Sequence, residues 1–233
     1  MLDWSYFDKI YCITTKESFI RRSSCRMIAK EYNMDICFKK VERHPNGSNH
    51  GCFLSHIDIF KEAKDLNLQR IIVLEDDIIP QHLNENVLKK ITDFLQNNDW
   101  DFFYFGAVPD CRKDNAAVKL KDGNGFYRIR SLCTHAYAIN RSAIDKYYDS
   151  EYYSHIPLDY LFRDDLSLTS YAHYPTQFYQ ETGFNAPQPL INAYLRIVEF
   201  YAYHCGLSIY HPSIQTIICI LFVILFYQKV KFL

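Results

Sequence analysis

The sequence predicts an α/β protein in which helices flank a central sheet, and three observations support this fold class. Short apolar runs with strand propensity alternate with helical segments between residues 9 and 77, in the order β-α-β-α-β. One of these strands, Ile71–Leu74, is wholly apolar and is followed directly by the acids Glu75, Asp76 and Asp77. Hydrophobic residues make up 48% of the 233 residues, which is enough for the core of one α/β domain with a small appendage.

The composition argues against several classes of function. The net charge of −1 gives no electrostatic reason to expect a nucleic acid partner. The chain has only 7 glycines and lacks both the GxGxxG and the GxxxxGK[ST] phosphate-binding patterns. Its 8 cysteines are scattered without a CxxC pair, and residues 1–8 lack the basic and apolar regions of a signal peptide. We therefore expect no signal peptide, free thiols and a catalytic domain in a reducing, cytosolic compartment.

The first half of the chain contains the predicted β-α-β-α-β unit. This pattern is typical of a parallel, doubly wound sheet, in which ligands bind at the carboxyl ends of the strands. The predicted elements are the strand Lys9–Thr14, the helix Glu17–Tyr32, the strand Asp35–Val41, the loop Glu42–Gly51, the helix Cys52–Leu66 and the strand Ile71–Leu74.

Polar residues on the two helices are candidates for binding an anion. Arg21 and Arg22 follow the first strand and would suit a diphosphate, although their spacing alone favours a solvated helix face. Ser55 and His56 lie in the first turn and a half of the predicted Cys52–Leu66 helix, where a helix N-terminus attracts anions. A capping serine and a half-buried histidine that packs on the sheet form an equally supported alternative.

The acidic triplet is a candidate metal site. Three adjacent carboxylates at the end of a buried strand repel one another and lose solvation, so a positive group is expected beside them. Oxygen ligands suit a hard ion, Mn²⁺ or Mg²⁺, shared with a phosphate-bearing substrate. The alternative is a solvated acidic turn, which is the better interpretation of an isolated triplet. The neighbouring motifs therefore decide between the two.

The second half of the chain continues the alternation of strands and helices. Pro80 is expected to end the central strand. Asn140 is a candidate N-cap for a helix that runs through Tyr148. The other predicted elements are the helix Asn84–Asn97, the strand Trp100–Phe105, an irregular and mobile loop Gly106–Gly125, a pair of strands at Phe126–Ile129 and Thr134–Ile139, and the strand Leu168–Tyr174.

Asp159 is the candidate general base. It follows a proline turn at Pro157 and would take a proton from a hydroxyl nucleophile. The alternative, which the sequence alone favours, is that Asp159 caps the next short helix. Asp164 and Asp165 are rival candidates for the same role.

The C-terminal tail, residues 187–233, is predicted to be helical and separate from a catalytic domain at residues 1–186. Its segment Ile214–Tyr227 carries no charge and is closed by Lys229 and Lys231. Extended to residues 209–228, this segment is long enough to cross a bilayer, so we expect membrane association through the tail. A helix packed on the domain is the alternative, because a helix that is apolar on all sides must be buried somewhere.

The order of these motifs resembles glycosyltransferase family 25, which covers bacterial lipooligosaccharide glycosyltransferases and collagen hydroxylysine galactosyltransferases. The resemblance extends over about residues 9–182. The chain departs from it at Thr14-Thr15, where the family usually has Asn-Leu. The matching residues are Ile10–Thr14 with Arg21-Arg22, Gly51–His56, Leu74–Asp77, Trp100-Asp101, His135–Tyr137, Ser142-Ala143, Pro157–Asp159, Pro175 and Gln180.

The resemblance implies a GT-A-like fold with a Rossmann-type mixed sheet, and an inverting transfer of a hexose, galactose or glucose, from a UDP-sugar. The acceptor would be a hydroxyl of a glycan, a lipid-linked sugar or hydroxylysine. Asp76 and Asp77 would hold Mn²⁺ or Mg²⁺, with Asp77 and Asp159 as catalytic residues. The residues implied to lie near the nucleotide-sugar are Thr14, Arg21, Ser55, His56, Glu75, Asp76 and His135.

Two other classes of function remain compatible with the sequence. One is an inactive GT-A-fold binding or structural protein anchored by its tail, which the intact acidic triplet argues against. The other is a metal-dependent hydrolase or nucleotidyltransferase that uses the same acids. Such enzymes share carboxylates at a strand end, but they do not require the Ser55-His56 and His135–Tyr137 motifs in this order.

Overall fold

A mixed eight-stranded sheet forms the centre of the computed structural model, which describes residues 1–110, 117–120 and 124–181. The strands are β1 (Lys9–Thr15), β2 (Ile36–Val41), β3 (Arg70–Glu75), β4 (Ile78–Pro80), β5 (Phe102–Tyr104), β6 (Val108–Pro109), β7 (Ala117–Lys119), β8 (Phe126–Ile129), β9 (Ser131–Leu132), β10 (Ala136–Asn140), β11 (Ser170–His173) and β12 (Phe178–Gln180). The helices are α1 (Phe19–Glu31), α2 (Ser48–Asp65), α3 (Glu85–Gln96), α4 (Arg141–Tyr147) and α5 (Leu158–Asp164), with a 3₁₀ turn at Glu151–Tyr153.

The sheet has the strand order β2-β1-β3-β10-β5-β11-β8-β7. Strands β2, β1 and β3 run parallel, as the β-α-β-α-β pattern predicts. Strand β10 then runs antiparallel between β3 and β5, and β8 runs antiparallel to β11. The prediction of a mixed sheet flanked by helices is confirmed, whereas the parallel arrangement holds only for part of the sheet.

The core lies on both faces of this sheet. Tyr11, Val73 and Tyr137 pack on the face covered by α2, α4 and α5, and Cys12 and Leu74 pack on the face covered by α1, α3 and the N-terminal segment. Successive residues of a strand point to opposite faces, so a strand covered on both faces is apolar throughout. This explains the uninterrupted run in β3, where residues 71–74 are at most 1% exposed.

Two helix starts follow from local capping. The Asn84 side chain accepts a hydrogen bond from the backbone N–H of Val87 at 3.1 Å, and that of Asn140 accepts one from Ala143 at 3.2 Å. Each asparagine thereby satisfies a backbone donor that the first turn of its helix leaves free. The N-cap predicted at Asn140 is confirmed.

The predicted start of α2 at Cys52 is wrong, because the helix begins four residues earlier at Ser48. Gly51 lies inside the helix and not in a turn. A Cβ atom at Gly51 would sit 2.9 Å from the Cβ of His44, so glycine is required there for close packing. Ser55 and His56 consequently lie in the middle of α2, and the argument that placed them at a helix N-terminus is lost.

Two predictions about strands are also wrong. The segments Phe126–Ile129 and Thr134–Ile139 do not pair, because β8 pairs with β7 and β11 while β10 inserts between β3 and β5. Pro80 does not simply end the central strand, since it closes the short strand β4, which pairs with β12. Proline is tolerated there because β4 belongs to a two-stranded sheet and needs a backbone donor on one side at most.

Several sequence predictions lie outside the described residues. These are the whole tail, including the segment at 209–228 and the domain boundary after residue 186, and two parts of the Gly106–Gly125 loop. In the described part of that loop the chain forms β6 and β7. Among the helices of residues 1–110, 117–120 and 124–181, none combines the length and the apolar character needed to cross a bilayer.

Candidate functional site

Glu75, Asp76 and Asp77 form an acidic turn at the end of β3, and their side chains contact three different parts of the fold. Glu75 points to α2, Asp76 to the end of β1, and Asp77 to Gln180 at the end of β12. The parallel pairing of β1 with β3 brings Thr14, at the end of β1, beside this turn. The turn therefore lies at the carboxyl ends of parallel strands, where open α/β sheets bind their ligands.

Asp76 is held by the end of β1 and by α1. Thr14 donates a hydrogen bond of 2.6 Å from Oγ1 to Asp76 Oδ2, and Thr14 itself is buried. Arg21 Nη1 lies 3.6 Å from Asp76 Oδ1. The Asp76 side chain is only 10% exposed, so it is not part of a solvated acidic turn.

The structure separates the roles of the two arginines. Arg22 is buried and donates to the backbone carbonyls of Thr15 and Lys16, at 2.9 and 3.3 Å, so it fixes the turn between β1 and α1. Arg21 is 41% exposed and lies close to both Asp76 and Asp77. Of this pair, only Arg21 faces the acids with N–H groups that a ligand can reach.

One carboxylate oxygen of Asp77 has no hydrogen-bond partner in the part of the chain that the structure describes. Its Oδ2 accepts from Gln180 Nε2 at 3.3 Å and lies 3.5 Å from Arg21 Nη1, whereas its Oδ1 is buried and lacks a hydrogen bond from any described residue. Burial and the neighbouring Glu75 carboxylate raise the pKa of Asp77 to about 6. A cation beside Asp77 would relieve both the lost solvation and the repulsion.

Asp76 and Asp77 fit a hard divalent cation. The buried Oδ1 of Asp77 has no hydrogen-bond donor within the described chain, and such an atom suits an ion. Both side chains offer only oxygen, which is the ligand preferred by Mg²⁺ and Mn²⁺. The prediction that these two residues bind a metal is chemically consistent with their surroundings.

Glu75 interacts with α2 and with the segment before β10. Its Oε1 accepts from Thr134 Oγ1 at 3.1 Å and lies 3.6 Å from His56 Nε2. Burial raises the pKa of Glu75, but His56, His135 and Thr134 together lower it by more, so the pKa lies below its ordinary value. Glu75 is therefore ionised at neutral pH.

Three of the residues predicted to bind the donor, Ser55, His56 and His135, are buried. Ser55 and His56 also lie away from the ends of α2. Ser55 donates from Oγ to the carbonyl of Gly51 in its own helix at 2.6 Å. His56 is fully buried, with Nδ1 2.9 Å from the Tyr137 hydroxyl. The His135 ring lies over Gly106, where a Cβ atom would come within 2.0 Å of Nε2. Burial lowers the pKa of His135, so its ring is neutral.

Asp159 lies in the first turn of α5 but does not cap it, because Pro157 is the N-cap and has no side-chain donor or acceptor for the role. Its Oδ2 accepts from the backbone N–H of Cys133 at 3.2 Å, and its Oδ1 accepts from that of Tyr160 at 3.0 Å. Cys133 has φ 69°, an unusual conformation for a residue with a side chain. Asp159 thus fixes the segment that leads into β10.

Two cysteines indicate that Asp159 and the acidic turn lie near one another. Burial, together with the charges of Asp159, Glu75 and Asp77, raises the pKa of the Cys133 thiol to about 12. Burial and the same three carboxylates also raise the pKa of Cys52. The fold therefore brings a carboxylate from α5 toward those that follow β3.

The rival bases are engaged in ion pairs. Asp164 lies 2.6 Å from Arg163 Nη2 and 3.8 Å from Arg130 Nη2. Asp165 accepts a hydrogen bond from the Tyr147 hydroxyl and pairs with Lys146. Despite partial burial, which raises it, these contacts hold the pKa of Asp165 well below its ordinary value.

Sequence reasoning named Gln180 only as part of the family match and assigned no role to Gln180 or Glu181, which lie at the end of β12 and directly after it. Gln180 contacts Asp77, and the backbone N–H of Glu181 donates to the Asp77 carbonyl at 2.6 Å. The Glu181 carboxylate also lies 3.9 Å from Arg21 Nε. These contacts depend on the pairing of β12 with β4, for which the sequence gives no local signal.

Comparison with known proteins places these residues in a family. The model for "Glycosyltransferase family 25 (LPS biosynthesis protein)" matches residues 2–162, which includes the acidic turn and Asp159. This match covers more than half of the chain.

Individual relatives match shorter segments. Procollagen galactosyltransferase 2 of Homo sapiens is 30% identical over 131 residues, which is 43% of this chain and 21% of that protein. A glycosyltransferase 25 family member of Aedes aegypti is 37% identical over 57 residues, or 24% of this chain and 9% of that protein. The chain spans at most about a fifth of the length of these curated relatives.

Among solved structures, a glycosyltransferase involved in the glycosylation of the major capsid of PBCV-1 matches with a TM-score of 0.40. It is 12% identical, and the match covers 63% of this chain and 67% of that chain. This level of similarity does not support a comparison of active sites.

Proposed function

The chain belongs to glycosyltransferase family 25, and we propose that it transfers a hexose, galactose or glucose, from a UDP-sugar to an acceptor hydroxyl. The observation that carries the proposal is the pair Asp76 and Asp77 at a strand end, with Arg21 beside both and a buried Asp77 oxygen that has no hydrogen-bond partner among the described residues. In this proposal the mixed sheet is a GT-A-like fold. The acceptor is a glycan, a lipid-linked sugar or hydroxylysine.

The donor diphosphate requires positive charge, because it becomes more negative as it leaves the sugar. Asp76 and Asp77 would hold Mn²⁺ or Mg²⁺, and such an ion supplies charge stabilisation for the leaving diphosphate. Thr14 holds Asp76 in place through its 2.6 Å hydrogen bond. Arg21, which neutralises the two acids in the described structure, is exposed enough to turn toward a diphosphate.

Asp159 is proposed as the general base. Two backbone N–H groups fix its carboxylate, and a fixed carboxylate can accept a proton from a hydroxyl without reorganising. In the proposed step the acceptor oxygen bonds to the anomeric carbon, its proton passes to Asp159, and the electron pair of the sugar–phosphate bond leaves with UDP. Direct displacement of this kind inverts the anomeric configuration.

For Ser55, His56 and His135 we propose a different role from the donor contacts that the family resemblance implies. Ser55 and His56 are buried within α2, and His135 is buried over Gly106. We therefore propose that these side chains support the acidic turn from the protein interior. His56 contacts Glu75, and the backbone carbonyl of His135 accepts from the Glu75 N–H at 2.8 Å. Their role is then to position the acidic turn.

We also propose, from the sequence of residues 209–228, that the tail associates with a membrane and that the catalytic domain faces a reducing compartment. Such a location would suit a lipid-linked acceptor.

The test is a panel of nucleotide-sugars assayed with Mn²⁺, with Mg²⁺ and with EDTA. We expect transfer or donor hydrolysis with one UDP-hexose, dependent on the metal and lost in Asp77→Ala, whose fold is checked by circular dichroism. Activity retained in folded Asp77→Ala would remove the metal site from the proposal. A nucleotidyl product would reassign the reaction to a nucleotidyltransferase. Absence of both product and donor binding across the panel would favour the inactive binding protein.

A further inference from the structure

A second group of possible metal ligands lies on the other side of the acidic turn. Cys52 and His56 are one helical turn apart on α2, which places them on the same helix face, and Glu75 ends β3 opposite them. The ligand atoms of these three side chains all lie within 4.8 Å of one another. This group faces α2, whereas Asp76 contacts Thr14 and the backbone carbonyl of Asp76 accepts from Cys25 of α1.

The imidazole of His56 is oriented for a ligand in this group. Its ring is fully buried, and Nδ1 lies 2.9 Å from the Tyr137 hydroxyl. The other nitrogen, Nε2, is buried without a hydrogen bond to any described residue, and the nearest carboxylate oxygen, on Glu75, is 3.6 Å away. A polar atom buried in this way is costly unless something binds it. When Nδ1–H donates to Tyr137, the Nε2 lone pair points to the group, as in metal sites whose histidine is oriented by a second partner.

We propose that Cys52 Sγ, His56 Nε2 and a Glu75 carboxylate oxygen bind one Zn²⁺ ion or a similar borderline divalent metal. Sulfur, nitrogen and oxygen together select such an ion over Mg²⁺ or Mn²⁺. A thiolate and a carboxylate balance its two charges, and the Cys52 thiol proton passes to solvent as the metal–sulfur bond forms. Ligand atoms of a tetrahedral zinc site are roughly 3.5 Å apart, so the side chains would need to move by only about 1 Å.

The fourth position of this site is available to water or to Thr134 Oγ1, which already contacts Glu75 at 3.1 Å. Because Glu75 directly precedes Asp76 and Asp77, an ion bound here would hold the acidic turn against α2. This inference concerns a different ion at different ligands from the proposed donor site, and it does not depend on glycosyl transfer.

Cobalt substitution tests the proposal directly. The full chain is freed of metal with EDTA, exchanged into buffer without chelator, and titrated with Co²⁺. We expect one equivalent to give a near-ultraviolet thiolate-to-cobalt band together with the visible bands of four-coordinate cobalt. Zn²⁺ should abolish both sets of bands and raise the melting temperature. A titration without a thiolate band would overturn the proposal.

Matched variants identify the ligands. Cys52→Ser should lose the thiolate band, and His56→Gln should weaken Co²⁺ binding by about tenfold or more. Cys37→Ser, which alters a half-buried cysteine of β2 outside the group, should keep the band. Asp77→Asn should also keep it, so failure of the donor site and failure of this site remain distinguishable. Because His56 is buried, the fold of each variant is checked by circular dichroism. Cys52→Ser is the smallest change and decides the result. A thiolate band that persists in folded Cys52→Ser rejects this site.

Discussion

Thr14 on β1 and Asp76 after β3 are joined by a hydrogen bond of 2.6 Å, although 62 residues separate them in the chain. The bond exists because β1 and β3 are parallel neighbours whose carboxyl ends meet at the same edge of the sheet. It ties one of the two proposed metal-binding carboxylates to the sheet.

Thr14→Val should lower transfer activity with little change in fold. Valine keeps the shape of threonine and removes the donor to Asp76, so the carboxylate loses its fixed orientation. We expect kcat/KM for the nucleotide-sugar to fall about tenfold, because one hydrogen bond to a charged group contributes about 1.5–3 kcal/mol. Thr14→Ser, which keeps the hydroxyl, is the matched control and should retain most activity. Equal activity of the two variants would contradict the positioning role.

Asp77→Asn should stabilise the metal-free protein at neutral pH. The folded-state pKa of Asp77 is about 6, against an ordinary value of 3.8. Because the folded state binds this proton more tightly, the wild type loses stability as pH rises from about 4 through about 6. Asparagine does not titrate. Above pH 6 the free energy of unfolding of the variant should therefore exceed that of the wild type by on the order of 1–3 kcal/mol, because one pKa unit is about 1.4 kcal/mol.

The measurement is urea denaturation in EDTA at several pH values between 4 and 8. Asp93→Asn, which changes an exposed aspartate on α3, serves as the control for the loss of one charge. A stability gain for Asp77→Asn that is the same at pH 4 and pH 8 would show that Asp77 has an ordinary pKa.

Asp159→Asn should lower turnover while donor affinity stays near normal. Asparagine retains an oxygen that can accept from the Cys133 N–H, so the segment before β10 should keep its conformation. Loss of the base should reduce kcat by about 10²–10⁴-fold. Donor Kd from calorimetry and kcat from the transfer assay separate the two effects, with Asp164→Asn as the control for a neighbouring paired acid. Lost donor binding with normal turnover of the bound donor would assign Asp159 to the donor side.

Substitution by alanine should affect different properties at Arg21 and Arg22: KM for the donor at Arg21, and stability at Arg22. Arg22→Ala removes buried hydrogen bonds to the carbonyls of Thr15 and Lys16, so the free energy of unfolding should fall by about 1–3 kcal/mol. Arg21→Ala should lower the free energy of unfolding less than Arg22→Ala does, because Arg21 is 41% exposed, and it should raise KM for the UDP-sugar several-fold, because Arg21 faces the acids. Thermal unfolding and donor kinetics on both variants make each one the control for the other.

Residues 209–228 are predicted to retain the full chain in the membrane fraction. The segment carries no Asp, Glu, Lys or Arg and is followed by Lys229 and Lys231, so it should resist carbonate extraction, whereas a chain that ends at Tyr210 should be released. Recovery of both chains in the supernatant would reject membrane insertion by the tail.

Local signals in the sequence determined the first three strands and their helices, the cap at Asn140 and the acids that follow β3. They also determined the family, because its motifs occur in order along the chain. Apolar periodicity and capping act within a few residues, so they can be recognised without knowledge of the fold.

Only the tertiary structure decided how these parts meet. It inserted β10 between β3 and β5, began α2 before Gly51, and paired β12 with β4 so that Gln180 reaches Asp77. It also assigned Arg22 to the backbone and Arg21 to the acids. Contacts between residues far apart in the chain depend on which surfaces pack together, and neither periodicity nor turn chemistry specifies that choice.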